Sequence, residues 1–480
     1  MLQSLFGASA GSDALGEHHM PETSSTARIE GQKPLAADIA SIRSQVVGLA
    51  WPAMAEMFLQ TLTQIVSMVL VGHLGADAVT SIGISTQPLN MFLGVFQGIA
   101  VAATALVARA IGAGRKDDAS RAAAQCMTLS AVVSLTACAF IYTRARDVVV
   151  WMGADPGVVG LGTAYLRVMT PGLFFLWTST VLTGALRGAG DTRTPMVVNT
   201  AISSLSFLGN IVLVYGLFGF PALGVLGAGL ATSIARVVGG LLLFVPYLGG
   251  KLTLPARFPA SFRWDGGLVR RIVAIAVPGA GERALMSGSG LFYAKMVAGL
   301  GSVSYAAHTI GINAESISYM PAQAFAIAAA TLTGQSLGAD RPDLAERSTY
   351  QSLLLACLLV GTMGLGFLAF PEVLIRLYSR DPEVVRLASI YLRMMGFCQI
   401  HQAFGFVLLG AIRGAGDAKF VMWITAFCSW VLRLGTTYLL IQVVGTGVVG
   451  AWWGMAADGF VKGVAAYLWF RSGRWKKARV

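Results

Sequence analysis

Two glutamates, Glu56 and Glu282, occupy equivalent places in the sequence and have the chemistry to bind and release a proton. Each follows a proline by four residues, and both lie inside apolar segments long enough to cross a membrane. A carboxyl group in an apolar environment favours its protonated form, whereas a nearby cation favours the ionised form. A proton and an organic cation could therefore compete for either side chain. The alternative is that each carboxylate is held in a structural hydrogen bond or ion pair.

Other polar side chains within apolar segments are also functional candidates, because an unpaired charge in a membrane interior is costly. The further candidates for binding a coupling ion or a substrate are Glu315, Gln60, Gln402 and His401. Gln60 lies one helical turn beyond Glu56, and His401 is the only histidine that the pattern places well inside a helix. Histidine titrates near neutral pH and could relay protons, although a lone histidine more often satisfies a structural hydrogen bond.

Four charged side chains are candidates for structural or gating roles, namely Arg433, Asp458, Lys462 and Arg236. Asp458 and Lys462 are four residues apart on one predicted helix, so they can neutralise each other. The acids that could pair with Arg433 are Asp458, Glu282 and Glu315. Arg236 has no partner in the sequence.

The composition indicates which elements must position these side chains. The chain has 480 residues, of which 55% are hydrophobic and only 12% are charged, and its mean hydropathy is +0.68. So little polar surface cannot cover so much apolar mass in water, which excludes a soluble enzyme, a disordered chain and a fibrous repeat. Twelve apolar runs reach the roughly 20 residues that a membrane crossing needs. The sequence therefore predicts an all-α integral membrane protein with twelve transmembrane helices.

An internal repeat organises these helices into two halves. A shift of 226 residues aligns Pro52 with Pro278 and GALRGAGD (184–191) with GAIRGAGD (410–417). Because six helices lie in each half, both halves enter the membrane from the same side, which predicts two six-helix lobes related by a pseudo-two-fold axis along the membrane normal. A cleft between such lobes suits alternating access. Tyr319 and Phe96 are the aromatic candidates for its wall, where they could stack on flat organic cations.

The distribution of charge predicts the topology. The net charge of +12 comes from Lys and Arg in alternate connectors and at the C-terminus, which the positive-inside rule places in the cytoplasm with both termini. This distribution favours membrane topology over nucleic-acid binding. We predict a disordered cytoplasmic tail (1–43), an N-lobe (44–248), a cytoplasmic linker (249–269), a C-lobe (270–471) and a basic cytoplasmic tail (472–480).

Metal and nucleotide sites are not predicted. The five cysteines lie inside apolar runs without CxxC spacing, so they indicate neither a zinc site nor a disulfide framework. GALRGAGD and GVLGAGLA (224–231) resemble phosphate-binding glycine runs, but neither follows a strand in a βαβ unit. Two RGAGD motifs lie in GALRGAGD and GAIRGAGD. We interpret them as tight cytoplasmic turns whose Arg and Asp brace the helix ends.

Several stretches resemble the multidrug and toxic compound extrusion (MATE) transporters, especially the DinF-like branch. They include VGHLGADAVTSIG, GALRGAGDTRTP, AAHTIGINAESISYMP and FRSGRWKK, and the likeness covers about residues 44–478. The resemblance implies a cation-coupled antiporter that exports organic, often cationic or amphiphilic, compounds. It implies H⁺ or Na⁺ as the coupling ion and no other cofactor. We predict a multi-pass monomer in the lipid bilayer of the cell inner membrane.

Three positions depart from the family pattern. Many members that this chain resembles carry an acid in the first helix where Ser67 stands, and the sodium-coupled type has a glutamate where Met286 stands. The tenth helix offers only amides and His401 where that type has an aspartate. The sequence leaves both ions open and favours H⁺, with Glu56 as a replacement for the missing acid, three helical turns before Ser67.

Two other functions remain open at this stage. A lipid-linked precursor flippase of related fold would meet an anionic substrate with Arg236 or Arg433. A non-transporting membrane scaffold is the third interpretation, although two matched acids inside the membrane would be costly there. The absence of a nucleophile–base or metal-ligand spacing argues against an enzyme.

Overall fold

The computed structural model describes residues 38–72, 76–219, 221–254 and 264–478. The predicted N-terminal tail lies outside the described residues up to residue 37, as do 255–263 of the predicted linker and the last two residues of the C-terminal tail. Within the described ranges the chain is helical and contains no strand. The prediction of an all-α protein is confirmed.

The first half contains six long helices: α1 (Ile39–Gly72), α2 (Ala76–Gly112), α3 (Lys116–Trp151), α4 (Pro156–Gly188), α5 (Arg193–Tyr215) and α6 (Gly224–Leu248). The second half begins with α7 (Gly266–Ala298), α8 (Ser302–Gly338), α9 (Pro342–Ala369) and the short α10 (Pro371–Arg376). It continues with α11 (Pro382–Gly414), α12 (Ala418–Ala426), α13 (Leu434–Tyr438) and α14 (Val448–Arg471). Single 3₁₀ turns lie at Leu217–Gly219 and Arg474–Lys477.

The eleventh membrane-crossing segment is built from several pieces. The π-helical stretches Phe427–Arg433 and Leu439–Val443 join α12 and α13 into one continuous span, Ala418–Val443. Twelve long spans therefore make up the described chain, as the sequence predicts. Eight of them are long and apolar enough to cross a membrane by length and composition alone.

Helices α1 and α7, which contain the repeat-related prolines Pro52 and Pro278, each contact both halves of the chain. Near its start, α1 places Ile42 and Val46 in a cluster with residues of α8, α9 and α11. Correspondingly, Ile272 and Ile275 of α7 pack in the core of the first half. Beyond its proline, each helix also forms hydrogen bonds within its own half, as in the bond from the Ser289 hydroxyl to the Ser429 carbonyl at 2.7 Å, although the Thr61 hydroxyl of α1 still contacts Met320 of α8. The halves thus exchange the first part of α1 and α7.

The halves meet closely where α2 and α8 end. A Cβ atom on Gly112 would lie 1.9 Å from the carbonyl oxygen of Gln335, and one on Gly338 would lie 2.1 Å from that of Arg109. Only glycine permits this approach. Gln335 donates to the Gly188 carbonyl at the end of α4 at 3.0 Å. Arg109 similarly donates to a carbonyl just beyond the end of α11 at 3.2 Å. Repeat-related contacts thus close one end of the interface between the lobes.

Candidate functional site

A central cavity of about 990 Å³ lies between the two lobes. Its wall comes from α1, α2, α4, α5 and α6 of the first half, and from α7, α8 and α11 of the second. The charged side chains in the wall are Glu56, Arg187, Arg236, Glu282, Arg283 and Arg413. The cavity is therefore the place where the fold brings together both glutamates singled out from the sequence.

Glu56 is buried in this wall and ion-paired. Its carboxylate accepts two hydrogen bonds of 2.9 Å from Nη2 of Arg187, one to each oxygen. The side-chain amide of Asn199 donates to the same carboxylate at 2.9 Å, and that of Gln60 lies at 3.4 Å. Only 4% of Glu56 is exposed, so these donors replace most of its hydration. Gln60 shares the site, as its one-turn spacing predicts.

Glu282 repeats this arrangement in the second lobe. Nε of Arg413 donates to one carboxylate oxygen at 3.2 Å, and Nη2 donates to the other. Arg413 follows Arg187 by 226 residues, as Glu282 follows Glu56. The two ion pairs are therefore related by the internal repeat, and each links a proline helix to the last turn of a helix in its own half.

The partners of both glutamates are the arginines of the RGAGD motifs. The interpretation of these arginines as braces of cytoplasmic turns is wrong, because Arg187 and Arg413 belong to the last turns of α4 and α11 and their side chains reach the cavity wall. Each partner is 131 residues from its glutamate, beyond the reach of helical spacing rules. The sequence did contain a signal for these partners, because Arg187 and Arg413 are related by the same 226-residue shift as the two glutamates.

Glu315 lies inside the second lobe, outside the cavity wall, and 8% of it is exposed. Its carboxylate accepts a hydrogen bond from the hydroxyl of Tyr391, and one of 2.7 Å from the amide of Gln402. Both donors are neutral. In the described part of the chain the other buried acids, Glu56, Glu282 and Asp458, all have cationic partners.

Arg433 pairs with Asp458, one of the three acids that the sequence offered for it. Its guanidinium donates to one oxygen of Asp458, and Nζ of Lys462 lies 3.0 Å from the other. Asp458 is 1% exposed, and the ring of Tyr293 lies 6.0 Å from the guanidinium carbon of Arg433. The two cations and one acid form a compact charge cluster in the second lobe.

The two histidines differ from expectation. His401 lies on an exposed face of α11 and packs on Phe460, with ring centroids 4.8 Å apart, away from the cavity wall. The prediction that it is the only histidine well inside a helix is wrong, because His308 is buried in α8. His308 accepts a hydrogen bond of 3.3 Å from the indole of Trp452. His308 stands near the start of α8, where the sequence pattern did not place it well inside a helix.

The two aromatic candidates, Tyr319 and Phe96, lie in different environments. Tyr319 lies in the cavity wall, where its hydroxyl accepts a hydrogen bond of 2.7 Å from Gln323. The placement of Phe96 on the wall is wrong, because its ring is fully buried and stacks on Trp177 at 4.8 Å. Trp177 borders the cavity, although its side chain is also buried in the lobe core. Periodicity marks a buried face of α2 but does not distinguish the lobe core from the cavity.

Ser67 and Met286, two of the three departures from the family pattern, both lie in the cavity wall. The hydroxyl of Ser67 accepts a hydrogen bond of 3.0 Å from the amide of Asn210 on α5. Asn199 binds Glu56 and Asn210 binds Ser67, and the two residues of each pair are 143 positions apart in the sequence. Helices α1 and α5 therefore run parallel and in register. This stretch of the wall is polar and uncharged.

Comparison with known proteins agrees with this architecture. The family model MatE matches residues 52–216 and 278–439, so the two matched ranges begin at the repeat-related prolines Pro52 and Pro278. The "Probable multidrug resistance protein NorM" of Thermotoga maritima is 31% identical over 446 residues, which span 92% of this chain and 95% of that protein. The chain belongs to the MATE family.

Two further comparisons support the family and the fold of this MATE protein. The "Multidrug resistance protein MdtK" of Cronobacter sakazakii is 27% identical over 420 residues, which span 85% of this chain and 91% of that protein. A solved outward-facing MATE transporter of the MOP superfamily superimposes with a TM-score of 0.85 over 91% of this chain and 97% of its own, at 22% identity. The chain is therefore a multi-pass membrane transporter of the multidrug efflux class and not an enzyme.

Proposed function

We propose that this MATE transporter is a proton-coupled antiporter that exports small organic compounds across the cell inner membrane. The multidrug-resistance names of its relatives support the substrate type. The cavity of about 990 Å³ also has the size of sites that enclose drug-sized molecules, typically about 300–1,000 Å³. Transport would proceed by alternating access, with the lobes closing one end of the cavity while the other opens.

The environment of Glu315 is the observation that carries the proton coupling. An acid with an arginine partner keeps its charge, because protonation would leave that arginine buried and uncompensated. Tyr391 and Gln402, the hydrogen-bond donors to Glu315, are both neutral. The nearby Arg433 is paired with Asp458, so Glu315 can take up a proton without stranding a cation. A single carboxylate is sufficient to bind one proton, so Glu315 needs no second acid for this role. We therefore assign proton binding to Glu315 and Gln402 in preference to the paired glutamates.

Glu56 and Glu282 take a different part in this proposal. Both lie in the cavity wall beside Arg187 and Arg413, close to the contacts between the lobes. We propose that these ion pairs set the shape of the cavity floor, with Gln60 facing the transported compound. His401 is left without a transport role, since it lies outside the wall.

Topology and assembly complete the proposal. The basic connectors support cytoplasmic termini. With that orientation, the close contacts of Gly112 and Gly338 lie at the cytoplasmic end, and the cavity opens outward. The transporter acts as a monomer, with the coupling ion as its only cofactor.

Everted membrane vesicles test the coupling, with H⁺ and Na⁺ gradients imposed separately while uptake of a fluorescent compound is followed. We expect the H⁺ gradient alone to drive uptake by the wild type. Glu315→Gln is expected to remove the dependence on that gradient, while Glu383→Gln, in an exposed ion pair with Arg386, serves as the matched control. Uptake driven by Na⁺ alone, or gradient-driven uptake by Glu315→Gln at the wild-type level, contradicts the proposal.

A further inference from the structure

Arg236 is a cation of the cavity wall without an acidic partner. It lies on α6, and no hydrogen bond or ion pair connects its guanidinium to any side chain in the described residues. The titratable group that faces it is the phenol of Tyr165, which is neutral. An unpaired cation in a membrane interior is costly, so a role for its charge is expected.

The internal repeat shows what this position lacks. Arg236 corresponds to Lys462 after the 226-residue shift, and Thr232 corresponds to Asp458. In the second lobe the acid and the cation are four residues apart on one helix and lie 3.0 Å from each other. In the first lobe the cation is present, and a threonine takes the place of the acid. The fold thus holds a paired and an unpaired version of the same site.

The first lobe also lacks a counterpart of Glu315, another buried acid of the second lobe. Glu315 corresponds to Leu89, although its partner Tyr391 has the counterpart Tyr165. Among the described residues, the second lobe has three buried acids, Glu282, Glu315 and Asp458, near the cations Arg413, Arg433 and Lys462, and Arg283 is a further cation in its part of the cavity wall. The first lobe has one acid, Glu56, against Arg187 and Arg236. Its surplus of one positive charge faces the cavity.

The surroundings of Arg236 suit an anion attached to an apolar body. Hydroxyl groups of Thr232 and Ser206 lie 3.4 Å apart in the same stretch of wall. The contact of Gly172 with Ser233 fixes the register of α4 against α6 and places Leu173 at about the level of Arg236. Leu173 borders the cavity there with apolar atoms, and almost all of its side chain is buried in the lobe core. Arg283 of α7 adds a second cavity cation without an ion pair in the described part of the chain.

We propose that Arg236 binds an acidic group of the exported compounds, so that the preferred substrates are amphiphilic organic anions. A carboxylate or sulfonate on an aromatic ring system has the required chemistry, because the planar guanidinium forms paired hydrogen bonds with such groups. The proposal rests on the export function above and changes the charge of the substrate from the cationic one that the family resemblance implies. The occupant is a small soluble compound that enters the cavity, not a lipid.

The test compares two ligands that share one apolar body, naphthalene-2-sulfonate and trimethyl(naphthalen-2-yl)ammonium. Binding to the purified full chain in phosphatidylcholine nanodiscs is measured by titration calorimetry. We expect the wild type to bind the sulfonate more tightly than the ammonium compound. Arg236→Gln should weaken sulfonate binding roughly tenfold or more, as expected for a lost charge-assisted hydrogen bond. Arg144→Gln removes an exposed arginine and controls for the substitution itself.

A second variant tests the charge without removing the arginine. Thr232→Asp recreates the acid–cation spacing of Asp458 and Lys462, and should lower sulfonate affinity to the level of Arg236→Gln. Comparison with the isosteric Thr232→Asn isolates the negative charge from the change of shape. Equal sulfonate affinity in the wild type and Arg236→Gln, or in Thr232→Asp and Thr232→Asn, overturns the proposal.

Two further arms separate this proposal from its premise and from a lipid ligand. If the sulfonate binds through Arg236 but no ion gradient drives its transport in proteoliposomes, the binding site stands and the export function fails. If an ion gradient drives sulfonate transport and Arg236→Gln leaves that transport unchanged, the export function stands and the binding site at Arg236 fails. If phosphatidylglycerol nanodiscs reduce wild-type binding to the Arg236→Gln level, a lipid headgroup occupies the site and the soluble substrate is excluded.

Discussion

At the scale of single residues, the main finding is that an acid inside the membrane can be matched by a distant cation. Glu56 and Glu282 have the positions expected of proton-binding groups, yet each holds an arginine from the end of another helix. Removal of one partner from such a buried pair leaves an uncompensated charge, whereas removal of both does not. The stability of variants therefore distinguishes a structural pair from an isolated functional acid.

Glu56→Gln should lower the free energy of unfolding by about 3–5 kcal/mol, because Arg187 would remain buried without its carboxylate. The double variant Glu56→Gln/Arg187→Gln should recover most of this loss. Unfolding in mixed detergent micelles measures both effects. As a control, Lys476→Gln breaks an exposed pair with Glu346 and should cost less than about 1 kcal/mol. A Glu56→Gln protein as stable as the wild type contradicts the structural assignment of the pair.

At the scale of elements, the two proline helices and the ends of α2 and α8 determine how the lobes meet. The first parts of α1 and α7 pack on the opposite lobe, and their later parts form hydrogen bonds within their own lobe. Pro52 and Pro278 lie at the change between these environments, and proline removes one backbone hydrogen bond of the helix. The backbone contacts at Gly112 and Gly338 then close one end of the interface.

Gly338→Ala should open that end, because the added Cβ would lie 2.1 Å from the Arg109 carbonyl oxygen and backbone atoms must separate. Spin labels on cysteines at Arg115 and Arg341, in a background free of native cysteines, report the α2–α8 distance. We expect the distribution to shift to longer distances. Gly366→Ala places its Cβ in open space on α9 and should leave the distance unchanged. An unchanged distance in Gly338→Ala shows that the contact does not hold the lobes together.

At the scale of the whole molecule, charge balance connects the substrate with the energy source. Moving one charge through the membrane potential supplies about 2.3 kcal/mol per 100 mV. Exchange of one proton for a monovalent cation moves no net charge. Exchange of one inward proton at Glu315 for one outward anion at Arg236 moves two charges in the favourable direction. The second exchange would draw on the membrane potential as well as on the pH gradient.

Transport of naphthalene-2-sulfonate should therefore be electrogenic. In proteoliposomes with the potential set by potassium and valinomycin, we expect its export to accelerate as the interior becomes more negative. Transport of trimethyl(naphthalen-2-yl)ammonium, if it occurs, should show no such dependence. A sulfonate flux that is independent of potential would falsify the coupling of one proton to one anion.

The sequence by itself determined the helical membrane fold, the two lobes and the family resemblance. Helix length, hydropathy and a 226-residue repeat are local or periodic properties, and they persist in any arrangement of the helices. The same patterns selected Glu56, Glu282 and Arg236 as buried charges. They did not show which of these charges are paired.

Only the tertiary structure decided the pairing. Arg187 and Arg413 reach their glutamates across 131 residues, and Phe96 lies in the lobe core, away from the cavity wall. These outcomes depend on which helix faces meet, and hydrophobic periodicity is the same for a face that packs on a neighbour and one that lines a cavity. The sequence placed the charges in the membrane; helix packing determined that Arg236 faces the cavity without an acid beside it.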